Sequence, residues 1–404
     1  MPSLEPLSAL IKQHLHDDVQ QLALQRNRFP HLSDADFRFL LQQVEGYQRT
    51  CDKLPTLSAL PDWWFPVRLS CEQCSSEATA GYKAEIVHSI NLKPSTLDTL
   101  IDLTAGYGID TFHLAECARE AHYVERNAEL CRIAEHNFAL YRENIQVHNT
   151  TAESFLASLS GRPISNSAAS HTLIYLDPAR RSQSGGKVFR IEDCEPNVIE
   201  LLPTLRAYAE RIMIKFSPML DITAALRALG TDWDTHVVAV NNEVKEVLFL
   251  TGTGVIHTVN IRTREMRTDR FYFSPDDEKQ APLRLAPAIQ QYIYEPNAAI
   301  IKAGAFRLIG ERYGLHKLDV NTHLYTSATL LPDFPGRIWQ VVEDIKEPKK
   351  QLDKSARYSI LSRNYPLSPD EIRKKYKLRD GDDQYIIAAR HQGKPLLISA
   401  KRMK

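Results

Sequence analysis

The segment TLIDLTAGYGIDTFHLAECA contains the residue types that a nucleotide-binding turn requires. Its apolar run, typical of a buried strand, ends at Asp102, and a helical pattern begins directly after two closely spaced glycines. Glycine lets the backbone turn sharply and lets a ligand approach without a Cβ in the way. This strand–turn–helix order predicts a cofactor-binding loop formed by Asp102, Thr104, Ala105, Gly106 and Gly108.

An acidic residue one β-α-β step further along the chain fits the same site. The next apolar run, AHYVE, ends at Glu125, where a carboxylate would accept hydrogen bonds from the two ribose hydroxyls of an adenosine. Arg126 follows it. Ala152 and Glu153 come after the third run, where adenine contacts usually arise, although Glu153 could equally be a helix-opening acid.

The turn favours one adenosine cofactor over another. A dinucleotide-binding loop has the pattern G-x-G-x-x-G/A, and here Thr111, a branched residue, occupies the third position, which disfavours a pyrophosphate. S-adenosylmethionine contains no pyrophosphate, and its amino-acid part can lie against the turn while Asp102 or a neighbour meets its ammonium group. The sequence therefore predicts S-adenosylmethionine as the cofactor.

Candidate catalytic residues lie in YLDPARRSQSGGKVFR, where a buried run ends at Asp177 and Pro178. Base-nitrogen methyltransferases use Asp or Asn, two prolines and an aromatic to hold an amine near the methyl donor. Ala179 and Arg180 replace the second proline and the aromatic, although the planar guanidinium of Arg180 can stack on a base. The loop predicts a phosphate clamp, with a merely solvated loop as the alternative; its basic residues are Arg180, Arg181, Lys187 and Arg190.

The residues near the strand ends bear on two other possible methyl acceptors, a pyrimidine carbon and a ribose oxygen. Methylation of a pyrimidine carbon normally needs a cysteine nucleophile, but position 217 in IKFSP is serine. Ribose 2′-O-methylation uses a Lys-Asp-Lys-Glu set, and the chain offers Lys83, Asp177, Lys215 and either Glu243 or Glu246 in that order. Because lysines and glutamates are common at strand ends, we favour a base nitrogen and keep the ribose oxygen as the alternative.

The elements that must position these residues begin at about residue 97. Seven short apolar runs alternate with helical patterns, and they are DTLIDL, AHYVE, IQVHN, TLIYLD, RIMIKF, HVVAVNN and EVLFLTG. The last two have no room for a helix between them, so they predict an antiparallel hairpin. Five parallel strands and an antiparallel pair form a class I methyltransferase sheet. The predicted fold is therefore α/β, with a Rossmann-like seven-stranded sheet.

Other regions flank this sheet. Residues 1–70 have helical spacing, with Ser33 able to cap the second helix, and they precede a predicted methyltransferase domain at 71–262. Residues 270–330 predict a small α+β module in which LAPAIQQYIY is helical. Residues 333–404 predict a last α+β unit that contains the basic helix EIRKKYKL. Ser368 fits the N-cap of this helix, Pro369 its first turn and Glu371 the acid of a capping box.

The composition of the 404-residue chain narrows the function classes. No apolar run reaches the roughly 18 residues of a membrane span, and the N-terminus lacks the pattern of a signal peptide, so we expect a cytoplasmic protein. Six sparse cysteines predict reduced thiols. Cys71 and Cys74 form a C-x-x-C motif without a second ligand pair nearby, which favours packing over a metal site.

Charge is distributed unevenly although the net charge is zero. The segment Ile345–Lys404 contains 16 Lys and Arg against 7 Asp and Glu, a surplus of nine positive charges. Such a surplus suits a phosphate-rich partner, and a solvated face is the simpler alternative.

Several segments together resemble a known family: CSSEATAGYKAEI, DLTAGYGID, YLDPAR, KFSPMLDI, YEPNAAIIKAGAF and NYPLSPDEIRKKYKLRDGDDQYIIAA. They are similar to bacterial class I methyltransferases with a ferredoxin-like insert and a C-terminal THUMP-like domain, and the resemblance covers nearly the whole chain. It implies that residues 270–330 are the ferredoxin-like module and 333–404 the THUMP-like domain. It also implies an RNA substrate, since THUMP-type domains bind structured RNA.

The leading hypothesis is an S-adenosylmethionine-dependent methyltransferase that modifies a base nitrogen in structured RNA, tRNA or rRNA. A ribose 2′-O-methyltransferase and a non-catalytic protein that binds S-adenosylmethionine and RNA are the alternatives. A further alternative is a small-molecule methyltransferase or an NAD enzyme.

Overall fold

A computed structural model describes residues 4–89, 97–159, 171–180, 191–382 and 384–403. The chain divides into two compact units, one formed by Met1–Trp233 with Val247–Thr251 and the other by Asp234–Glu246 with Gly252–Lys404. The loop residues Arg181, Lys187 and Arg190 lie outside the described residues.

The first unit begins with helices that pack on one another through an apolar stripe. Leu22, Phe29, Phe37, Leu40 and Val44 form the core of this region. Ser33 and Asp36 make a reciprocal capping box at the start of the longest helix, as the sequence predicts for Ser33. The helices are α1 (Leu4–His14), α2 (Val19–Leu24), α3 (Asp34–Thr50), α4 (Pro55–Ser58), α5 (Arg68–Gln73) and α6 (Glu77–Ser89).

A parallel sheet with helices between its strands follows. Its strands are β1 (Leu97–Asp102), β2 (Ala118–Glu125), β3 (Ile145–Asn149), β4 (Thr172–Leu176) and, after the short antiparallel pair β5 (Ala179–Arg180) and β6 (Cys194–Glu195), β7 (Arg211–Phe216). The strand order is β7-β4-β1-β2-β3, and all neighbours are parallel. The helices are α7 (Ile109–Leu114), α8 (Ala128–Tyr141), α9 (Ala152–Leu159), α10 (Val198–Tyr208) and α11 (Ile222–Leu229).

The predicted hairpin is formed by β8 (Trp233–Val240) and β9 (Glu243–Thr251). Asn241 and Asn242 connect them with positive φ angles of 50° and 69°, the conformation that a tight hairpin turn requires. In the first unit, β9 lies antiparallel to β7 through Val247–Leu250. The fold prediction is therefore confirmed: the five parallel strands and the antiparallel pair are all present.

Two strands of the second unit were not predicted. They are β10 (Ile256–Arg262), which is parallel to β8, and β11 (Arg267–Phe273), which is antiparallel to β10. Asp269 is buried on the inner face of β11 and pairs with Arg262 at 2.8 Å. A charged pair at an interior position interrupts the apolar alternation by which a strand is normally found in a sequence.

A second sheet completes this unit. Its strands are β12 (Tyr292–Pro296), β13 (His316–Asp319), β14 (Thr322–Ser327), β15 (Gly336–Asp344), β16 (Arg357–Ser362), β17 (Arg379–Asp380), β18 (Gln384–His391) and β19 (Lys394–Arg402). They lie in the order β13-β14-β12-β15-β19-β18-β16-β17. The helices of the unit are α12 (Pro275–Gln280), α13 (Ala298–Ala303), α14 (Leu308–Arg312), α15 (Pro348–Gln351) and α16 (Pro369–Tyr376).

The second unit confirms one predicted helix and corrects another. The Ser368–Glu371 capping box opens α16 as expected. The helix predicted for LAPAIQQYIY is wrong, because these residues approach β13 in an extended path and Tyr292 then begins β12. Pro287 has no amide hydrogen for a helix, and the Ala286 amide donates instead to the Lys317 carbonyl at 2.8 Å. Within the described ranges, no helix is long and apolar enough to span a membrane.

A buried histidine makes the stability of the second unit depend on pH. His236 stacks on His257 with ring centroids 4.4 Å apart, and burial, together with His257 and Arg270, lowers the pKa of His236 to about 3. In the unfolded chain His236 has the ordinary histidine pKa of 6.5, so below this pH it binds a proton that it does not bind in the folded chain. The free energy of unfolding should therefore fall as the pH drops below about 6.5, by up to about 1.4 kcal/mol per pH unit for this group.

We expect His236→Phe to flatten this decline, which thermal unfolding between neutral and mildly acidic pH would measure. His31→Phe, at an exposed position, is the matched control. Equal slopes in the two variants would contradict the assignment to His236.

Candidate active site

The loop Asp102–Gly108, called the 102–108 loop below, joins β1 to α7 and contains two residues in the left-handed region. Gly106 has φ 58° and Gly108 has φ 84°. A Cβ on Gly108 would lie 2.7 Å from Phe138 Cζ and 3.1 Å from Tyr123 Cε2, whereas nothing lies within 4 Å of a Cβ on Gly106. Gly108 is therefore needed for close packing of the helix on the sheet, and Gly106 leaves open space on the loop surface.

Asp102 holds the 102–108 loop through hydrogen bonds of its side chain. Its side chain is fully buried and accepts hydrogen bonds from the Thr104 amide at 3.2 Å and from Thr111 Oγ1 at 2.6 Å. Burial raises the pKa of Asp102 to about 8 despite these two hydrogen bonds. Thr111, which the sequence places where a dinucleotide loop has a small residue, is thus a hydrogen-bond donor that fixes the end of β1.

Aromatic residues anchor the same loop to the N-terminal region. Tyr107 is buried; its hydroxyl accepts from Trp63 Nε1 at 2.6 Å and donates to the Trp64 carbonyl at 3.0 Å. Asn137 of α8 also holds the Trp64 backbone. The Trp64 amide donates to Asn137 Oδ1 at 2.8 Å, and Asn137 Nδ2 donates to the Trp64 carbonyl at 3.0 Å. The segment around Trp63 therefore packs against the domain that contains the parallel sheet.

Glu125 lies at the end of β2, next to the 102–108 loop. Its carboxylate accepts from the Gly106 amide at 3.0 Å and from the Asn127 amide at 2.7 Å, one on each oxygen. A carboxylate has about four acceptor positions, so both oxygens retain capacity for the hydroxyls of a ligand. Arg126 is exposed and pairs with Glu195 at 2.7 Å. At the start of α9, Ala152 is buried and Glu153 is exposed.

Asp177 follows β4 at the same edge of the sheet. Its amide donates to Thr104 Oγ1 at 2.5 Å, which ties it to the 102–108 loop, and 37% of its side chain is exposed. Lys215, from the neighbouring strand β7, forms an ion pair with its carboxylate. Pro178 is buried. The backbone of Arg180 pairs with Cys194 in the short β5–β6 ribbon, and its side chain lies outside the described atoms.

A buried carboxylate that the sequence analysis missed connects these residues. Asp110, in the first turn of α7, lies 3.1 Å from Lys83 Nζ and 3.7 Å from Lys215 Nζ. The hydroxyls of Ser75 and Tyr175 each donate to its Oδ2 at 2.7 Å. Burial alone would raise the pKa of Asp110, but the two lysines outweigh it and hold the pKa well below its ordinary value.

Lys83, Asp110, Lys215 and Asp177 therefore form a chain of alternating charge that runs from the interior to the surface. The side chain of Lys83 has no exposed surface, so we assign it to holding Asp110 and not to contact with a ligand. Three members of the predicted Lys-Asp-Lys-Glu set are thereby brought together, whereas Glu243 and Glu246 belong to the other compact unit. An acid in a first helical turn resembles an ordinary helix-opening residue, so the sequence pattern does not single out Asp110.

The C-x-x-C motif is used in packing. Cys71 Sγ donates to the Pro66 carbonyl at 3.4 Å, and Cys74 Sγ donates to the Cys71 carbonyl at 3.2 Å. Burial raises the pKa of Cys71 to about 12, so its thiol is neutral at physiological pH. Among the residues that the structure describes, no three His, Cys, Asp or Glu side chains are grouped as metal ligands.

The two loop glycines should respond differently to a methyl group. We expect Gly108→Ala to lower the free energy of unfolding by about 2–4 kcal/mol, since the new Cβ adds overpacking against Phe138 to the strain of a left-handed alanine. Gly106→Ala, with the same backbone strain but open space, should cost only about 1 kcal/mol. Urea unfolding measures both, and equal losses would show that close packing at Gly108 is unimportant.

Comparison with known proteins agrees with this geometry. A ferredoxin-like domain family matches residues 292–335, and a THUMP-like domain family matches residues 336–402. In Mycobacterium tuberculosis, strains H37Rv and CDC 1551, a protein named as an uncharacterized S-adenosylmethionine-dependent methyltransferase is 26% identical over 253 residues. That alignment covers 60% of this chain and 67% of the relative.

A crystal structure from Porphyromonas gingivalis W83, of a protein named as a methyltransferase, matches the whole chain. It has 30% identity and a TM-score of 0.84, and the match covers 99% of this chain and 98% of the other. The protein therefore belongs to the family of bacterial S-adenosylmethionine-dependent methyltransferases that carry a ferredoxin-like and a C-terminal THUMP-like domain.

Proposed function

We propose that this methyltransferase transfers the methyl group of S-adenosylmethionine to a base nitrogen in structured RNA, with Asp177 as the residue that meets the acceptor. The observation that carries the proposal is the hydrogen bond from the Asp177 amide to Thr104 Oγ1. It places a partly exposed carboxylate beside the loop on which a methyl donor would lie.

The residues present fit S-adenosylmethionine. Gly106 leaves open space where a side chain would stand, and the two oxygens of Glu125 can accept further hydrogen bonds from ribose hydroxyls. Ala152 and Glu153 are the proposed neighbours of adenine, with Arg126 at the exposed rim. Because Asp102 is buried, we assign it to shaping the loop, and Thr104 and Ala105, both partly exposed, to the amino-acid part.

The reaction needs little acid–base chemistry from the chain. The sulfonium supplies an activated methyl group, so alignment of the acceptor and exclusion of water provide most of the rate. The carboxylate of Asp177 would accept a hydrogen bond from the acceptor amine and take its proton. Lys215 fixes the orientation of that carboxylate, and Pro178 and the guanidinium of Arg180 are the proposed contacts for the flanking base.

Support for RNA comes from the C-terminal region. Residues 336–402 match the THUMP-like family, and the segment Ile345–Lys404 has a surplus of nine positive charges, which suits a phosphate backbone. We propose tRNA or rRNA as the substrate.

Ribose 2′-O-methylation is the second candidate, because Lys83, Asp177 and Lys215 converge at one site. It is less well supported for two reasons. Lys83 has no exposed surface with which to touch a hydroxyl. Lys215 Nζ is already engaged in ion pairs with Asp110 and Asp177.

Calorimetry tests the cofactor site. We expect Glu125→Gln to weaken S-adenosylmethionine binding by about 10- to 100-fold, since hydrogen bonds to a charged acceptor are lost. Glu129→Gln, at an exposed acid in the first turn of α8, should bind like the wild type. Absence of heat from the wild type with both S-adenosylmethionine and its demethylated product would disprove the cofactor site.

Mass spectrometry of nucleosides tests the reaction. RNA from cells without the gene should lack one methylated nucleoside that the wild type and Asp232→Asn, at an exposed acid of the same unit, restore. Asp177→Ala should restore about 100-fold less, or none, while still binding S-adenosylmethionine. The identity of the nucleoside distinguishes a base nitrogen from a ribose oxygen. Unchanged RNA in cells without the gene would favour a non-catalytic RNA-binding role.

A further inference from the structure

A small basic cleft lies in the second compact unit. Its empty volume, which includes space open to solvent, is about 190 Å³. Its lining includes three cationic side chains and two aromatic rings, namely Arg284, Arg307, Lys317, Phe306 and Tyr325.

The positive charge of this cleft is only partly offset within the protein, by Glu278 and Asp319, which act on Lys317, and by Glu311 in the lining. Across the described residues, no carboxylate forms an ion pair with Arg284 or Arg307, both of which are exposed. Glu278 is the acid nearest in effect to Lys317, but its carboxylate already accepts from the amides of residues 306–308 at 2.9–3.2 Å. Glu311, the acid in the lining itself, is exposed and is outnumbered by the three cations of the lining.

Burial of the charged Lys317 side chain is unfavourable for folding. Only 4% of the residue is exposed, and its ammonium group donates to a single carbonyl, that of Val320, at 2.6 Å. Burial and the proximity of Arg307 lower the pKa of Lys317. The ammonium lies 5.6 Å from the centre of the Phe306 ring, which in turn stacks on His323 with centroids 3.8 Å apart. A buried cation with so little compensation is expected where an anion binds.

We propose that Arg284, Arg307 and Lys317 form a phosphate-binding site; resting on the RNA methyltransferase function proposed above, we assign this phosphate to the backbone of the substrate RNA. Guanidinium groups bind phosphate oxygens in a bidentate manner, and Arg284 and Arg307 line the same cleft as Lys317. The aromatic wall restricts water and strengthens the interaction.

Binding of fluorescently labelled bulk tRNA to the full-length protein tests the site. The double variant Arg284→Gln/Arg307→Gln changes only exposed side chains, so it should fold normally. We expect its affinity to fall about tenfold or more, and the slope of log affinity against log salt to decrease by about one for each phosphate that the variant no longer neutralises. Arg264→Gln, at an exposed arginine in the β10–β11 turn of the same unit, is the matched control.

Lys317→Met separates binding from folding. If Lys317 serves a ligand, removing its buried charge should leave the melting temperature unchanged or raise it, while tRNA affinity falls. A lower melting temperature with unchanged tRNA affinity would make Lys317 a structural residue and overturn its part in the site.

A second probe distinguishes failure of this site from failure of the RNA substrate. Inorganic phosphate, compared with chloride at equal ionic strength, should raise the melting temperature of the wild type but not of the double variant. If phosphate stabilises in this way while tRNA does not bind, the site stands and the RNA proposal falls. If tRNA binds but the double variant and Arg264→Gln lose affinity equally, or if neither probe responds to the variants, the site is disproved.

Discussion

The catalytic edge of this methyltransferase depends on one buried carboxylate held between two lysines. Asp110 would be expensive to ionise alone in the interior, and breaking such a buried pair typically costs about 3–5 kcal/mol. Lys83 lies 3.1 Å from it, and Lys215 reaches from it to the carboxylate of Asp177. The orientation of Asp177, the acid proposed to meet the acceptor, is therefore set by a buried charge.

The parts of the fold that could be predicted from sequence are those in which burial and local pattern agree. The central strands β4 and β7 are nearly continuous apolar runs because both faces of the sheet are covered there, so their positions are readily found. The α16 cap was predictable because a capping box is local. By contrast, β11 carries a buried Asp269 paired with Arg262, and residues 284–286 are held by contacts with β13 that are distant in sequence.

The candidate site was predictable to the same extent. The glycines of the 102–108 loop and the acids at strand ends stand out because each occupies a position that the strand–turn–helix geometry defines. Asp110, Ser75 and Tyr175 do not, since their importance arises only when α7, β4 and the segment before α6 converge. Lys83 stands out in the sequence for its charge, but its burial and therefore its role depend on packing that spacing alone does not describe.

Strand β9 has a consequence for how this enzyme can be divided. Its residues Val247–Leu250 lie against β7, but the chain first passes through β8 and the asparagine turn, which belong to the other unit. A fragment that stops at Trp233 would leave one side of β7 with unpaired amides and carbonyls, and such bare edges recruit strands from other molecules. The two units are thus interleaved along the chain, and no single cut separates them.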